Sequence, residues 1–269
     1  MEKTKYLIGD VANLMGLSRD TMRYYEKRGI ITSEKGQNGY RYYTDKEISR
    51  LVSILYQRKM NVSLEDMKKL WNVENSMINL TEIMDHRLKE EERAIRSHRQ
   101  TIARLRLTSS DCQRIREHLG EIQLKDSPYA YLIVPHTGFD ESMTLWFQLS
   151  KKHSGLDMMY LFDEYRLKQQ DHLLQLPYQN TQLILYRDLA DYVDYEFSPD
   201  SATIKPMRCL YSACTSPTRI PGNENILPML DWAREQGLTV SDHLYSTYAM
   251  QGQLEGRHAY YLELYIPLR

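Results

Sequence analysis

The sequence of 269 residues is poor in several features that would assign it to a specialised class of protein. It has three cysteines, Cys112, Cys209 and Cys214, which are too few and too scattered for a disulfide framework. It has no run of about 18 apolar residues, so we expect no membrane-spanning helix. Polar residues and a glycine interrupt the first positions, which therefore lack the apolar region of a signal peptide. These absences predict a reducing, cytoplasmic location.

The net charge is also small, at −1, and by itself gives no sign of a polyanionic partner. The charge is unevenly distributed, however. Residues 1–75 hold 14 basic and 10 acidic side chains, residues 76–120 hold 9 and 7, and residues 121–269 hold 12 and 19. A basic front and an acidic back suggest two functions carried by different parts of the chain.

Tyrosine is abundant, whereas the other aromatic residues are rare. The chain has 21 Tyr against 4 Phe and 3 Trp, and 14 of the tyrosines follow residue 120. Tyrosine combines an apolar ring with a hydroxyl, so it suits interfaces and ligand pockets as well as cores with a polar edge.

Two short helices are predicted near the N-terminus. Apolar residues at helical spacing between Leu7 and Met15 predict the first helix, and Gly16 is placed to end it in a left-handed conformation. Ser18 is a suitable N-cap for the second helix, and Gly29 follows its end. Two short helices joined by a glycine-containing turn form a helix-turn-helix outline.

The second helix has a polar face opposite its apolar residues Met22 and Tyr25. That face carries Arg19, Arg23 and Tyr24. These residue types can contact phosphates and base edges. Helix-turn-helix shapes without DNA also occur, and exposed arginines are usually only solvated, so this segment alone leaves DNA binding open.

A hairpin and two further helices are predicted next. The turn-rich residues 36–39 precede an aromatic, strand-like segment, which predicts a wing that contacts DNA phosphates. The wing residues are Arg41, Tyr42 and Tyr43. Thr44 and Glu47 form a capping box for a third helix, and Ser63 caps a fourth.

The segments IGDVANLMGLSRDTMRYYEKRGII and GYRYYTDKEISRLVSI resemble the N-terminal domain of MerR-family transcription regulators. The pattern R-Y-Y-E followed by G-[IL], then G-Y-R-x-Y, is specific to that family, and the resemblance covers roughly residues 5–72. It implies a winged helix-turn-helix fold with DNA contacts from the recognition helix, the wing and a second edge that contacts the backbone. On this resemblance the DNA-binding residues are Arg19, Arg23, Tyr24, Arg41, Tyr42, Tyr43, Arg58, Asn61 and Ser63.

A long helix is predicted after this domain, because residues 76–119 contain neither proline nor glycine. With Leu88 at heptad position a, Ile95 and Ile102 also occupy a positions, while Glu91 and His98 interrupt the seam at d. The family resemblance implies an antiparallel coiled coil and a homodimer through residues 76–119. A long helix packed on its own chain is the alternative.

No metal and no cofactor are expected. Several MerR-type metal sensors carry a cysteine at the start of the long helix and more just after it, whereas Cys112 lies late in this helix and no cysteine follows before Cys209. Cys209 and Cys214 are better explained as buried strand residues.

The pattern of residue types changes after Gly120. Residues 121–269 predict an α+β domain in which a β-α-ββ unit occurs twice. The helices are predicted at residues 141–153 and 225–236. The strands begin with one that follows Pro128, and the others are predicted at residues 158–167, 182–189, 192–197, 203–213, 240–248 and 258–268.

This layout, with a closing strand Y-x-x-E-x-x-I-P-L, resembles the GyrI-like effector-binding domain over about 140 positions. The resemblance implies a multidrug sensor that binds lipophilic, often cationic, aromatic compounds beside a buried acid. Glu263 fits that acid, because a lone carboxylate in a buried strand costs free energy unless it is paired, and this favours a functional role. The candidate ligand-binding residues are Trp146, Tyr160, Tyr245, Tyr261, Glu263 and Tyr265. Tyrosines at strand spacing are, however, more often core residues.

The sequence thus predicts three domains: a winged helix-turn-helix at 1–74, a coiled-coil dimerisation helix at 75–120, and a GyrI-like effector-binding domain with two helices on an antiparallel sheet at 121–269. The family mechanism is activation by untwisting and bending promoter DNA, so the expected partners are promoter DNA, RNA polymerase through that DNA, and a small-molecule effector. The alternatives are a hydrolase of reactive aromatic compounds that uses Glu263 and a ligand-independent activator. No enzyme is expected, because no catalytic or metal-binding spacing is present.

Overall fold

The computed structural model describes residues 5–71, 76–170 and 173–269 of the chain. It is a mixed α+β structure that divides into two compact units, Met1–Ile95 and Arg96–Arg269. The division falls within the long helix α5 (Ser76–His118). Within the described ranges, no helix is long and apolar enough to cross a membrane.

The N-terminal unit contains four short helices, the first part of α5 and a small sheet. The helices are α1 (Ile8–Met15), α2 (Arg19–Lys27), α3 (Asp45–Lys59) and α4 (Leu64–Trp71). The strands are β1 (Tyr6–Leu7), β2 (Glu34–Lys35) and β3 (Arg41–Tyr43). They form an antiparallel sheet in the order β1–β3–β2. The unit is therefore a helix-turn-helix followed by a wing.

The sequence signals at the helix termini are confirmed. Gly16 ends α1 with a φ of 65°, a left-handed conformation that a residue without a Cβ adopts at no steric cost. Ser18 caps α2, because its Oγ accepts a hydrogen bond from the backbone amide of Thr21 at 3.0 Å. Thr44 and Glu47 form the capping box of α3. These local hydrogen bonds satisfy amides that have no partner within their helices.

The C-terminal unit is built on one large sheet. Its strands are β4 (Ile122–Asp126), β5 (Ala130–Thr137), β6 (Tyr160–Arg166), β9 (Tyr178–Tyr186), β10 (Thr203–Ile204), β11 (Arg208–Ser216), β12 (His243–Leu254) and β13 (Arg257–Pro267). They pair antiparallel in the order β10–β5–β9–β6–β12–β13–β11–β4. A separate hairpin consists of β7 (Lys168–Gln170) and β8 (Leu173–Gln175).

Helices cover the two faces of this sheet. They are α6 (Phe139–Lys152), α7 (Asn223–Glu235) and short 3₁₀ helices at Leu156–Met158 and Arg187–Tyr192. Side chains of β13 alternate between the faces. Leu262 and Leu264 share a core with α7, whereas Tyr265 lies in the other core with Ala103 and Leu107 of α5. The second part of α5 therefore packs on the sheet face that carries Tyr265 and its neighbour Glu263.

Three details of the strand prediction are wrong. Residues 192–197 form no strand, because a 3₁₀ helix runs to Tyr192 and Phe197 then stacks on Tyr131 with ring centroids 4.0 Å apart. The predicted strand 203–213 is broken into β10 and β11 around Pro206, which has no amide hydrogen to donate to a ladder. The edge strand β4 and the hairpin of β7 and β8 were not predicted.

Candidate functional site

The polar face of α2 is open to solvent. Its apolar residues Met22 and Tyr25 are buried, which turns the opposite face outward. Arg23 is exposed and lies 3.4 Å from Asp20, and Tyr24 is 44% exposed. Arg19 is exposed as well. An exposed ion pair of this kind contributes little to stability, so Arg23 is free to exchange its partner for a phosphate or a base.

The wing presents part of the predicted set. Arg41 is exposed, and its Nε lies 3.2 Å from a carboxylate oxygen of Glu26 on α2. The hydroxyl of half-buried Tyr42 accepts a hydrogen bond of 2.9 Å from Asn38 Nδ2 in the turn. Tyr40, which was not among the predicted contacts, is 62% exposed at the start of the wing strand. The hairpin is thus tied to α2 through Arg41 while its aromatic edge stays accessible.

Tyr43 is a correction to the predicted DNA-contacting set. Its side chain is fully buried in the core of the N-terminal unit, and its hydroxyl donates a hydrogen bond of 3.0 Å to Glu26. Burial, followed by the charge of Glu26, raises the pKa of this phenol. Side chains alternate along β3, so Tyr42 faces outward and Tyr43 faces inward. Tyr43 therefore anchors the wing strand in the core of the N-terminal unit.

Replacing Tyr43 by phenylalanine is expected to lower the free energy of unfolding by about 1 kcal/mol, because Glu26 loses a hydrogen bond while the ring stays in place. DNA affinity should stay unchanged. Urea denaturation and gel-shift titration of the same preparation test both parts. A loss of DNA affinity at full stability would show that this hydroxyl contacts DNA after all.

A second edge is formed by the α3–α4 junction. Asn61, with a φ of 59°, donates from Nδ2 to Glu91 of α5 at 2.9 Å. Ser63 accepts from the amide of Asp66 at 3.1 Å, so its hydroxyl already caps α4. Arg58 is exposed. Of the three predicted residues on this edge, Arg58 therefore has the side chain that is most available to contact DNA, whereas Asn61 and Ser63 hold the junction.

A groove joins this edge to the recognition helix. Tyr24, Arg58 and Ser63 line it together with Arg28 and Lys68, two cations that the sequence reading did not select. The Arg28 guanidinium lies 5.3 Å from the Tyr24 ring centroid, and Lys68 Nζ donates to the Arg28 carbonyl at 3.2 Å. Arg28 follows the R-Y-Y-E pattern and Lys68 lies on α4, and these positions were the only sequence signals for the two residues.

In the C-terminal unit, the predicted acid is not a lone carboxylate. Glu263 is fully buried, and Arg114 of α5 binds both of its oxygens, with Nε 2.7 Å from Oε1 and Nη2 2.9 Å from Oε2. The hydroxyls of Tyr211 and Tyr265 donate to Oε1 at 2.7 and 3.3 Å. The expectation that Glu263 awaits an external cation is therefore corrected, because a guanidinium of the same chain already occupies that position.

The pair belongs to a larger polar network. Arg114 Nη2 also donates to Asp111 Oδ1 at 2.5 Å, and Asp111 Oδ2 accepts from the Tyr160 hydroxyl at 2.7 Å. Burial acts against the charge of Arg114, but the hydrogen bonds and charge of Glu263 outweigh it and raise the pKa of the guanidinium. Burial raises the pKa of Asp111 and of the Tyr160 hydroxyl. Arg114 and Asp111, which lie on the long helix α5, were not among the predicted site residues.

The other predicted ligand residues are divided between two cavities. Tyr245 and Tyr265 line a mainly apolar cavity of ≈ 230 Å³ together with Phe162, Ile184 and other side chains of the sheet. Burial raises the pKa of Tyr245 to about 12. Trp146 and Tyr160 line a separate cavity of ≈ 200 Å³ beside Asp111.

Tyr261 lies in neither of these cavities. It pairs in register with Thr215 on β11 and Met250 on β12. The six predicted ligand residues therefore do not form one common pocket.

An exposed cationic helix within a winged helix-turn-helix unit defines, as a class, a DNA-binding domain. Residues 6–73 match the family described as MerR HTH family regulatory protein. This part of the chain is accordingly similar to MerR-type helix-turn-helix domains.

The relatives of this domain are transcriptional regulators. The chain is 34% identical over 88 residues to the HTH-type transcriptional regulator ZntR homolog of Haemophilus influenzae, covering 31% of this chain and 65% of that protein. It is 35% identical over 69 residues to ZntR of Escherichia coli K12, covering 25% of this chain and 49% of that protein. The chain thus spans about half to two thirds of the length of these curated relatives.

A similarity to solved structures extends further along the chain. EcmrR in the cryo-EM structure of the EcmrR-DNA complex in EcmrR-RPo is 17% identical, with a TM-score of 0.37, and the alignment covers 98% of this chain and 99% of that one.

Proposed function

We propose that the chain is a DNA-binding transcription regulator of the MerR family that responds to a small molecule. The observation that carries this proposal is the MerR-type domain at residues 6–73, whose recognition helix exposes Arg19, Arg23 and Tyr24. The proposed DNA contacts add Arg41, Tyr42, Arg58 and, through the junction they hold, Asn61 and Ser63. Promoter DNA is the primary partner.

The proposed organisation has three parts: a DNA-binding domain at 1–74, a dimerisation helix at 75–120 and a GyrI-like effector-binding domain at 121–269. Dimerisation is supported by an apolar seam along α5 that its own chain leaves open. Leu88, Ile95, Ile102 and Leu105 are 59, 50, 47 and 66% exposed. Four large apolar side chains at heptad spacing on one helix suit a second copy of the same helix.

The proposed mechanism is activation through DNA deformation. A dimer that binds two half-sites fixes the DNA path between them, and an effector that prefers one state of the dimer shifts the protein towards it. The effector supplies only its difference in affinity for the two states, and this difference offsets the cost of untwisting and bending the promoter. RNA polymerase is the second partner, through the reshaped DNA.

The proposed effector site is the cavity lined by Tyr245 and Tyr265. Its mainly apolar lining is typical of small-molecule sites. Glu263 does not line this cavity but accepts a hydrogen bond from Tyr265, which does, and its bidentate bond with Arg114 leaves no free carboxylate oxygen to act as a nucleophile. We therefore propose sensing and no catalysis.

The DNA-binding role is tested with Arg23→Ala. The variant should bind the promoter region of its own gene about 10- to 100-fold more weakly, because a direct arginine contact to a base contributes about 1–3 kcal/mol. Gel-shift titration and footprinting measure the effect at fixed salt. Lys151→Ala removes an exposed cation of α6 in the C-terminal unit and serves as the control, which should bind normally. Retained footprinting by Arg23→Ala would refute the assignment of α2 as the recognition helix.

A further inference from the structure

We infer that the effector is an organic anion with a flat aromatic body, bound in a groove that Lys125, Arg187 and Tyr186 line. The inference rests on the proposed sensing function and specifies the chemical class of its ligand. It reverses the charge that the resemblance to multidrug sensors implies.

The groove lies beside the proposed effector cavity. It has a volume of ≈ 650 Å³, and its lining includes Arg114, Lys125, Tyr129, Tyr186, Arg187 and Tyr265. Pro128 and Tyr265 line both the groove and the cavity. A ligand can therefore place a polar end in the groove and an apolar body against the cavity.

Two cations of the groove have no carboxylate partner. The Lys125 ammonium lies 4.1 Å from the centroid of the Tyr211 ring, and the Arg187 guanidinium lies 4.8 Å from that of Tyr129. In the described parts of the chain, neither is within ion-pair distance of an acid. Burial lowers the pKa of Lys125, so a negative partner would relieve a real cost of desolvation there.

The acids that line or adjoin the groove do not cancel these charges. Asp126 is paired with Arg208 at 3.3 Å, and Glu263 is held by Arg114. Asp111, which shares Arg114 with Glu263, does not line the groove, so exposed Asp188 is the one remaining lining carboxylate against two cations. The lining thus favours an anion over a cation.

Tyr186 gives an independent indication of a polar ligand. Its side chain is only 8% exposed and stacks on Tyr160 with centroids 4.3 Å apart. Among the residues that the structure describes, nothing hydrogen-bonds its buried hydroxyl. A buried donor without an acceptor is unfavourable, and a carboxylate or sulfonate oxygen that displaces the side chains covering this hydroxyl would supply one.

The charge preference is tested by isothermal titration of the full chain with three matched probes: 2-naphthoate, 2-naphthylmethylammonium and 2-naphthalenemethanol. We expect 2-naphthoate to bind about tenfold more tightly than either of the others, since only its charge is complementary. Lys125→Gln and Arg187→Gln should each weaken 2-naphthoate about fivefold and leave the neutral alcohol unchanged. Lys151→Gln, outside the groove, is the control and should bind 2-naphthoate normally.

The outcomes separate this inference from the proposed function. Equal or tighter binding of the ammonium probe, absence of 2-naphthoate binding while another probe binds, or unchanged 2-naphthoate affinity in a correctly folded Lys125→Gln variant would each overturn the anion assignment. Binding of the neutral alcohol without preference for the anion would overturn it as well, yet would leave the effector cavity intact. Failure of sensing altogether would instead show as no binding of any probe, and failure of the DNA-binding role as retained footprinting by Arg23→Ala.

Discussion

Replacing Arg114 by methionine is expected to lower the free energy of unfolding by roughly 3–5 kcal/mol at pH 7, the usual cost of removing one partner from a buried ion pair. Glu263 has no exposure to water and binds Arg114 through both oxygens. Methionine keeps most of the apolar stem but leaves the carboxylate without its cation. The Arg114 side chain is 20% exposed, so the lower end of this range is expected. Urea denaturation followed by circular dichroism measures the change.

Two controls distinguish the loss of a buried ion pair from a general effect of replacing arginines on α5. Arg104→Met removes a bidentate pair with Asp157, but these side chains are 37 and 41% exposed, so the loss should stay below about 1 kcal/mol. Arg114→Met combined with Glu263→Met should recover part of the stability, because it removes the unpaired Glu263 carboxylate, whereas Asp111 still lacks its bond to Arg114. If Arg114→Met were no more destabilising than Arg104→Met, the pair would have no special role in the fold.

The combined substitution of Ile95→Glu and Ile102→Glu is expected to convert a dimer into a monomer. Each isoleucine is about half exposed in one copy of the chain. The two isoleucines of each copy give a dimer four half-exposed side chains to bury, and burying each contributes about 1 kcal/mol. Their replacement should therefore raise the dissociation constant of the dimer by roughly 1,000-fold. Glutamates facing one another across the seam would add a cost of desolvation. Sedimentation velocity over a range of protein concentrations gives the distribution of mass.

Arg93→Glu is the matched control for this prediction. Arg93 is exposed on the same helix but lies outside the a and d positions of the seam, so its replacement should leave the dimer intact. If the double glutamate variant sedimented as the native protein does, the seam would not be the interface. The alternative of a long helix that serves only its own chain would then be favoured.

The N-terminal unit could be predicted from the sequence because its signals are local. Gly16, Ser18 and the pair Thr44 and Glu47 act within one turn of their helix ends, so the residue types alone specify the geometry. Tyr43 was misassigned because its burial depends on packing with residues of other elements, and its hydroxyl partner Glu26 on α2 is 17 residues away. A strand of three residues gives too short an alternation to tell its two faces apart.

The buried network of the C-terminal unit could not be predicted, since it depends on contacts between distant parts of the chain. Arg114 and Glu263 are 149 residues apart. In the heptad frame that starts at Leu88, Arg114 occupies an f position and Asp111 a c position, both of which a coiled coil leaves to solvent. The seam prediction concerned only one side of α5. The opposite side, with Ala103 and Leu107, packs on the sheet of its own chain. The predicted dimer seam and the alternative of a helix packed on its own chain therefore concern different faces of α5.

The place of β13 in the sheet has a consequence for the order in which the protein is made. This strand lies between β12 and β11 in the interior of the sheet, yet it is the last strand of that sheet in chain order and is therefore synthesised after all its neighbours. Until then Arg114, synthesised about 150 residues earlier, has no carboxylate of β13 to bind. The N-terminal unit can fold from local contacts during synthesis, whereas the C-terminal unit must wait for its final strand. The C-terminal unit is consequently most exposed to aggregation before β13 has been synthesised.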